Sequence, residues 1–208
     1  MNFIENESEQ KLRGGYYTPE DLATYITKWV ANSSPKSILE PSCGDGVFIK
    51  AIHNIGYGKK SHFYGFELLD SEANKAKERA DELKVKSTIK CIDFLDHAIQ
   101  VMSSGKTEYD AVVGNPPFIR YQYLPKESQE KSEIIFKSEH LKFTKHTNAW
   151  VPFVIAAIKV LKPGGRLGMI LPAEIIHVMH AQSLRTYLGE QCSKLPELCS
   201  NRTKLFLS

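Results

Sequence analysis

Ser37-Ile38-Leu39-Glu40-Pro41-Ser42-Cys43-Gly44-Asp45-Gly46 is a short apolar strand running into a turn of proline and glycines, and Val47 to about Tyr57 continues as a helical pattern. The same unit recurs towards the C-terminus. His62 to Leu68 reads as a strand and Ser71 to Leu83 as a charged amphipathic helix; Ser87 to Ile92 reads as a strand with a short helix after it. Tyr109 to Gly114 is strand-like and stops at Asn115-Pro116-Pro117-Phe118. Thr147 to Leu161 is helical and stops at Lys162-Pro163-Gly164-Gly165, Arg166 to Leu171 is a fifth strand, and Ala173 to about Gln191 a last helix. Strands alternating with helices mean βαβ units and a parallel sheet. Towards the N-terminus, Thr18-Pro19-Glu20-Asp21 reads as a helix start with Thr18 as cap and Pro19 in the first turn. Leu22, Tyr25, Ile26, Trp29 and Val30 follow as its apolar stripe.

The chain has 208 residues, of which 42% are hydrophobic and 25% charged, which excludes collagen-like, disordered and coiled-coil classes and suits one α/β domain. No apolar run is long enough for a membrane span, and the acidic start Asn2-Phe3-Ile4-Glu5-Asn6-Glu7 does not resemble a signal peptide, so a cytoplasmic location is expected. Cys43, Cys91, Cys192 and Cys199 form no Cys-x-x-Cys pair, and the histidines show no zinc spacing, so reduced thiols and no metal site are expected. The net charge of +3 says little about partners.

In an open α/β sheet, ligands bind beyond the carboxyl ends of the strands. The first such end, Glu40 to Gly46, lacks the third glycine of a dinucleotide fingerprint, Ile49 standing in its place. Acids Glu40 and Asp45 flank the turn; they disfavour a pyrophosphate and suit a ligand with a cationic end. The second strand ends at Glu67, roughly 20 residues past Gly46, where an acid accepts hydrogen bonds from ribose hydroxyls. The third ends in Asp93-Phe94, an acceptor for an amino group beside a ring that packs on a purine. Alone, Glu67 reads as a strand-end surface acid and Phe94 as a core aromatic. Their joint order after three successive strands describes S-adenosylmethionine, which carries an ammonium and a sulfonium and no phosphate.

Asn115-Pro116-Pro117-Phe118 alone reads as a stiff turn. At the end of the fourth strand, beside that ligand site, it acquires a chemical reading. An exocyclic amino nitrogen of a nucleobase is a poor nucleophile because its lone pair is delocalised into the ring. The Asn115 side-chain oxygen and the Pro116 carbonyl can accept its two hydrogens and turn the lone pair outward, Pro116 and Pro117 hold those acceptors still, and Phe118 offers a stacking face. A base inside a duplex must be flipped out to be reached.

Residues 119–146 interrupt the alternation. Arg120, Lys126, Lys131, Lys137, Lys142 and Lys145 supply phosphate-compatible charge there, with Tyr121 and Tyr123 just past the proline motif, so contact with DNA and mobility without it are expected; Glu127, Glu130, Glu133 and Glu139 nearly cancel the charge and leave a solvated loop as the competing reading. His177 and His180 read as a surface face, Trp29 and Trp150 as core, and Cys43 as a small residue in the turn.

These motifs, in this order, resemble the amino-methylating, S-adenosylmethionine-dependent DNA methyltransferases, specifically adenine-N6 enzymes of the gamma arrangement and restriction-modification type, over about residues 11–190. Gly14-Gly15-Tyr16-Tyr17-Thr18-Pro19 resembles the N-terminal cofactor motif, Glu40 to Gly46 the first motif, Glu67 the ribose acid, Asp93-Phe94 the adenine clamp and Asn115-Pro116-Pro117-Phe118 the catalytic motif. Ile119 to Gln122 and Asn148 to Glu174 resemble the segments that follow. The resemblance implies a Rossmann-like class I methyltransferase fold with a mostly parallel sheet. It further implies cofactor contacts from Tyr17, Thr18, Pro19, Glu40, Pro41, Cys43, Gly44, Asp45, Gly46, Glu67, Asp93, Phe94 and Asn115, and DNA as partner. The GGYYTP motif favours DNA over the RNA-amino and protein-glutamine methyltransferases that share the NPP(Y/F) chemistry.

The expected organisation is a loose N-terminus over residues 1–12, a catalytic domain over 13–191 and an unassigned tail over 192–208. Family members continue past the fifth strand with two more strands and a recognition region, whereas no strand is legible in this tail. The expectation is therefore a catalytic half whose fifth strand is an exposed edge, prone to self-association or needing a second chain for specificity, with a cofactor-binding remnant as the alternative.

Overall fold

The computed structural model describes residues 18–141, 148–172, 182–191 and 205–207. The expectations for residues 1–17, including Tyr17 and most of the GGYYTP motif, lie outside them. So do those for Lys142, Lys145, His177, His180, Cys192, Cys199 and the residues of 192–208 other than 205–207.

The chain runs α1 (Glu20–Ala31), β1 (Ser37–Glu40), α2 (Val47–Asn54), β2 (His62–Phe66), α3 (Asp70–Glu82), β3 (Ser87–Lys90), α4 (Phe94–Ser104) and β4 (Tyr109–Gly114). A 3₁₀ turn at Tyr121–Tyr123 follows, then α5 (Lys126–Ser138), α6 (Trp150–Val160), β5 (Leu161–Met169), α7 (Gln182–Gln191) and β6 (Leu205–Leu207). The strands form one sheet in the order β3-β2-β1-β4-β5-β6, the first five parallel and β6 antiparallel to β5. The chain leaves β1 to one side for β2 and β3, then returns on the other side with β4. The carboxyl ends of β1 and β4 are therefore the switch point at which such sheets bind ligands.

Strand side chains alternate between two cores. Ile38, Ala111 and Val113 pack beneath α1, α2 and α3, together with Ile26, Val30, Phe48, Ile52 and Ala76. Leu39, Val112 and Leu167 face the other way onto α4, α5, α6 and α7, with Phe94, Ile135, Phe136 and Val154. Burying both faces of the sheet is what a parallel arrangement requires.

Three local expectations change. Thr18 does not cap α1: the cap position falls on Pro19, with no side-chain cap bond, and Thr18 is used elsewhere. Residues 121–138 are not a loop but a 3₁₀ turn and a helix, α5, docked through Ile135 and Phe136. The fifth strand is paired on both sides, because Leu205–Leu207 adds antiparallel along Leu167–Met169. The tail thus holds a strand where none was legible; three residues are too few for an alternation to register. Trp150 is buried as expected, while Trp29 is half-buried, with Arg166 over its ring.

Candidate functional site

A cavity of about 450 Å³ opens at the switch point, a volume typical of small-molecule sites. Its floor is the turn after β1. Gly44 and Gly46 adopt positive φ of 48° and 86°, conformations that side-chain-bearing residues avoid. Two hydrogen bonds pin this turn to the end of β2: the Cys43 amide donates to the Phe66 carbonyl at 2.8 Å, and the Gly44 amide to Glu67 Oε2 at 3.0 Å. The other Glu67 oxygen accepts from the Leu69 amide at 3.0 Å. Arg79, reaching from α3, lies 3.2 Å from Asp45 and braces the turn from the side.

Glu40 lines the cavity and is buried. Its Oε2 has no hydrogen-bond partner among the described residues. Burial, reinforced by repulsion from Asp45 and Glu67, raises its pKa well above the ordinary carboxylate range. Burial also raises the pKa of the Cys43 thiol, with Glu40 and Glu67 adding to the effect, so Cys43 serves as a neutral small residue.

Asp93 and Phe94 close the adjoining wall. Asp93 caps α4, its Oδ1 accepting from the Leu95 amide at 2.9 Å, and its Oδ2 accepts from Lys131 Nζ at 3.0 Å. Phe94 packs against Phe153 of α6, which also lines the cavity. At the far side Asn115 Nδ2 donates to Thr18 Oγ1 at 3.2 Å, and Ser42 Oγ donates to the Asn115 carbonyl at 3.3 Å. The segment after the proline motif is held by the Ala149 amide, which donates to the Ile119 carbonyl at 2.7 Å.

Of the residues singled out from sequence, Thr18, Glu40, Pro41, Cys43, Gly44, Asp45, Glu67, Asp93, Phe94, Asn115 and Pro117 line one cavity. Pro19, Gly46, Pro116 and Phe118 do not. Pro19 starts α1, and Gly46 turns the chain into α2. Pro116 is buried; Phe118 is half-buried and packs against both cores. Sequence reasoning missed Leu68, Leu69 and Ile92, large apolar residues left exposed at the mouth. An apolar residue beside each strand-end acid was the signal available for them. It also missed Leu124, Pro125, Ser128, Ser132 and Phe153, for which no local signal exists. Lys131 differs from its expectation: it is a part-buried ion-pair partner rather than a free phosphate contact, and Lys126 and Lys137 lie 3.9 Å from Glu130 and Glu133 one turn away.

Residues 47–198 match the Eco57I restriction-modification methylase family. The chain belongs to that family. Similar proteins include the type II methyltransferase M.HincII of Haemophilus influenzae, 25% identical over 97% of this chain and 36% of its own length. M.BanIII of Aneurinibacillus aneurinilyticus is 28% identical over 95% of this chain and 37% of its own length. This Eco57I-family chain thus spans little more than a third of the length of these two relatives. Among solved structures, the methyltransferase subunit of a type I restriction-modification system from Streptococcus thermophilus superposes with a TM-score of 0.71 at 18% identity, covering 94% of this chain and 44% of that one. An S-adenosylmethionine-dependent O-methyltransferase from Thermotoga maritima gives 0.52 at 13% identity over 100% of this chain and 70% of that one. The class I methyltransferase fold is thereby shown for this Eco57I-family chain. Among the described residues, no helix is long and apolar enough to cross a membrane.

Proposed function

We propose that this chain is the catalytic core of an enzyme that transfers a methyl group from S-adenosylmethionine to the N6 amino group of adenine in DNA, within a restriction-modification system. The observation that carries this reading is the meeting of an acidic cluster with Asn115 and Pro117 in one cavity at the switch point. The cavity's chemistry fits the cofactor. A buried carboxylate with an open acceptor atom, crowded by two further acids, is satisfied by a cationic ligand and repels a phosphate.

Bound there, the cofactor supplies a methyl group on a positively charged sulfonium. Glu40 and Asp45 hold the cationic end. Glu67 retains lone pairs for ribose hydroxyls after its two backbone bonds, and Asp93 accepts from the adenine amino group between apolar walls of Ile92, Phe94 and Phe153. The Asn115 side-chain oxygen and the Pro116 carbonyl accept the two hydrogens of the target amino group. Thr18 fixes which way the Asn115 amide faces. The exposed part of Phe118 stacks the flipped base. Because Asn115 directly follows β4 and is clamped by Thr18 just ahead of α1, little reorganisation remains for the reaction step.

Tritiated cofactor, offered to the 208-residue chain with duplex DNA, transfer RNA or a release factor, tests the assignment, with and without a candidate recognition subunit. Label recovered as N6-methyladenine in DNA is the expected result. Label in the RNA or the release factor overturns the substrate, label on cytosine overturns the base, and no label under any condition makes the chain a cofactor-binding remnant. Glu67→Ala is expected to weaken cofactor-product binding by about 1–3 kcal/mol, because it unties the Gly44 turn and removes the ribose acceptors together. Calorimetry with S-adenosylhomocysteine measures this, and unchanged affinity refutes the placement.

A further inference from the structure

Lys131 is the most confined cation among the described residues of α5. Its ammonium lies 2.7 Å from Asp96, 2.7 Å from Glu127 and 3.0 Å from Asp93. An ammonium has three hydrogens, so three carboxylates exhaust it. Burial on its own lowers the Lys131 pKa, but the hydrogen bonds to Asp96, Glu127 and Asp93 outweigh it and push the pKa above the ordinary lysine range. Asp96 and Glu127 are the more open partners, with side-chain exposures of 48% and 76%; Asp93, at 10%, is the most enclosed of the three and the one that lines the cavity.

Docking of α5 does not call for this arrangement. Ile135 and Phe136 already bury the helix against α4 and α6, and ion pairs, whether exposed or enclosed, are a weak source of stability. What the lysine does is local. The terminal torsion of an aspartate is broad, and the cap bond from the Leu95 amide holds only Oδ1. Lys131 holds Oδ2, so the carboxylate plane is set from two elements at once. The helix that supplies it begins soon after the proline motif, and Leu124, Pro125, Ser128 and Ser132 of the same stretch form a wall of the cavity.

We propose that Lys131 is a positioning residue for cofactor recognition: by fixing the Asp93 carboxylate it makes the site select a purine bearing an exocyclic amino donor, and it makes α5 the element through which the target-base side senses that purine. This rests on the cofactor reading given above. Replacing the amino group by a carbonyl oxygen sets an acceptor against Asp93, and Lys131 has no hydrogen left to rescue it.

S-adenosylhomocysteine and its deaminated form, S-inosylhomocysteine, are the probes, and calorimetry on the whole chain gives the ratio of their dissociation constants. The parental protein is expected to prefer the adenine form by about 10- to 100-fold. Lys131→Met keeps the aliphatic stem and should reduce that preference to within about threefold, whereas Lys131→Arg should restore most of it. A merely structural lysine would weaken both ligands together and leave the ratio unchanged, which overturns the proposal. Hydrogen exchange on the parental protein answers independently should Lys131→Met not fold: amides of residues 127–135 gain more protection with the adenine ligand than with the inosine ligand, and equal protection overturns it. Equal binding of the two probes by the parental protein also overturns it, and binding of neither overturns the cofactor reading along with it.

Discussion

Turnover of Asn115→Ala is expected to fall by about 10²- to 10³-fold, the range for removing one preorganised polar group from a reacting centre, while affinity for S-adenosylhomocysteine changes little. The asymmetry follows from the role proposed for the side chain. Its oxygen gains most when the target amino nitrogen pyramidalises and its hydrogens become more acidic, which happens only on the way to the transition state. A group that merely lined the cavity would lose binding and rate together. Thr18→Ala separates chemistry from alignment: it leaves the Asn115 oxygen in place but removes the acceptor for Nδ2, so turnover should drop by about three- to tenfold, one ordinary hydrogen bond's worth. Single-turnover methyl transfer under saturating cofactor measures both. Parental rates in Asn115→Ala, with DNA demonstrably bound, would remove the residue from the mechanism.

Cofactor binding should release a proton, and Glu40→Gln should abolish that release. In the free protein, burial first, then Asp45 and Glu67, raises the Glu40 pKa. A cationic ligand end favours the ionised carboxylate, so binding drives the proton off. Affinity therefore rises with pH until the free-state pKa is passed and then levels. The stability of the free protein runs the opposite way. In the unfolded chain Glu40 loses its proton near pH 4.3, whereas the folded state keeps it to higher pH. Between those values the native state binds more protons, so stability is full below the unfolded pKa and declines as pH rises through the folded one.

Glu40→Gln should flatten both profiles, stabilise the free protein at alkaline pH and weaken cofactor binding by about 1.5–3 kcal/mol, the value of a hydrogen bond to a charged group. Calorimetry in two buffers of different ionisation enthalpy counts the protons. No release by the parental protein between about pH 5 and about pH 9 would show that Glu40 does not meet the cation. On the proposed reading, stability is given up at Glu40 for the sake of binding. An apolar or amide side chain would fill the same space at less cost, yet a carboxylate stands there.

Much of the architecture was determined by the sequence alone, because its determinants are local. Ile38 and Leu39 face opposite cores because a strand alternates, and Glu40 to Gly46 leaves the sheet where glycines permit positive φ. Asn115 terminates β4 because the prolines after it cannot continue a ladder. Asp93 caps α4 because a short acid before a helix binds the second amide. Period and turn chemistry also brought the strand-end acids to one edge of the sheet, since in a parallel sheet all such ends lie on the same side.

Tertiary structure alone decided which side chains meet. Thr18 has the composition of a helix cap, and packing turned it to Asn115. Lys131 sits in a run of lysines and glutamates that reads as a solvated face, yet it is held against Asp93 because Ile135 and Phe136 anchor α5 over α4. Phe118 gave part of its ring to the two cores, and Leu205–Leu207 became a strand only because β5 offered an open edge. A helical or strand period records which face of an element is apolar. It carries no information about which distant residue will lie opposite, and that is settled only when the elements pack.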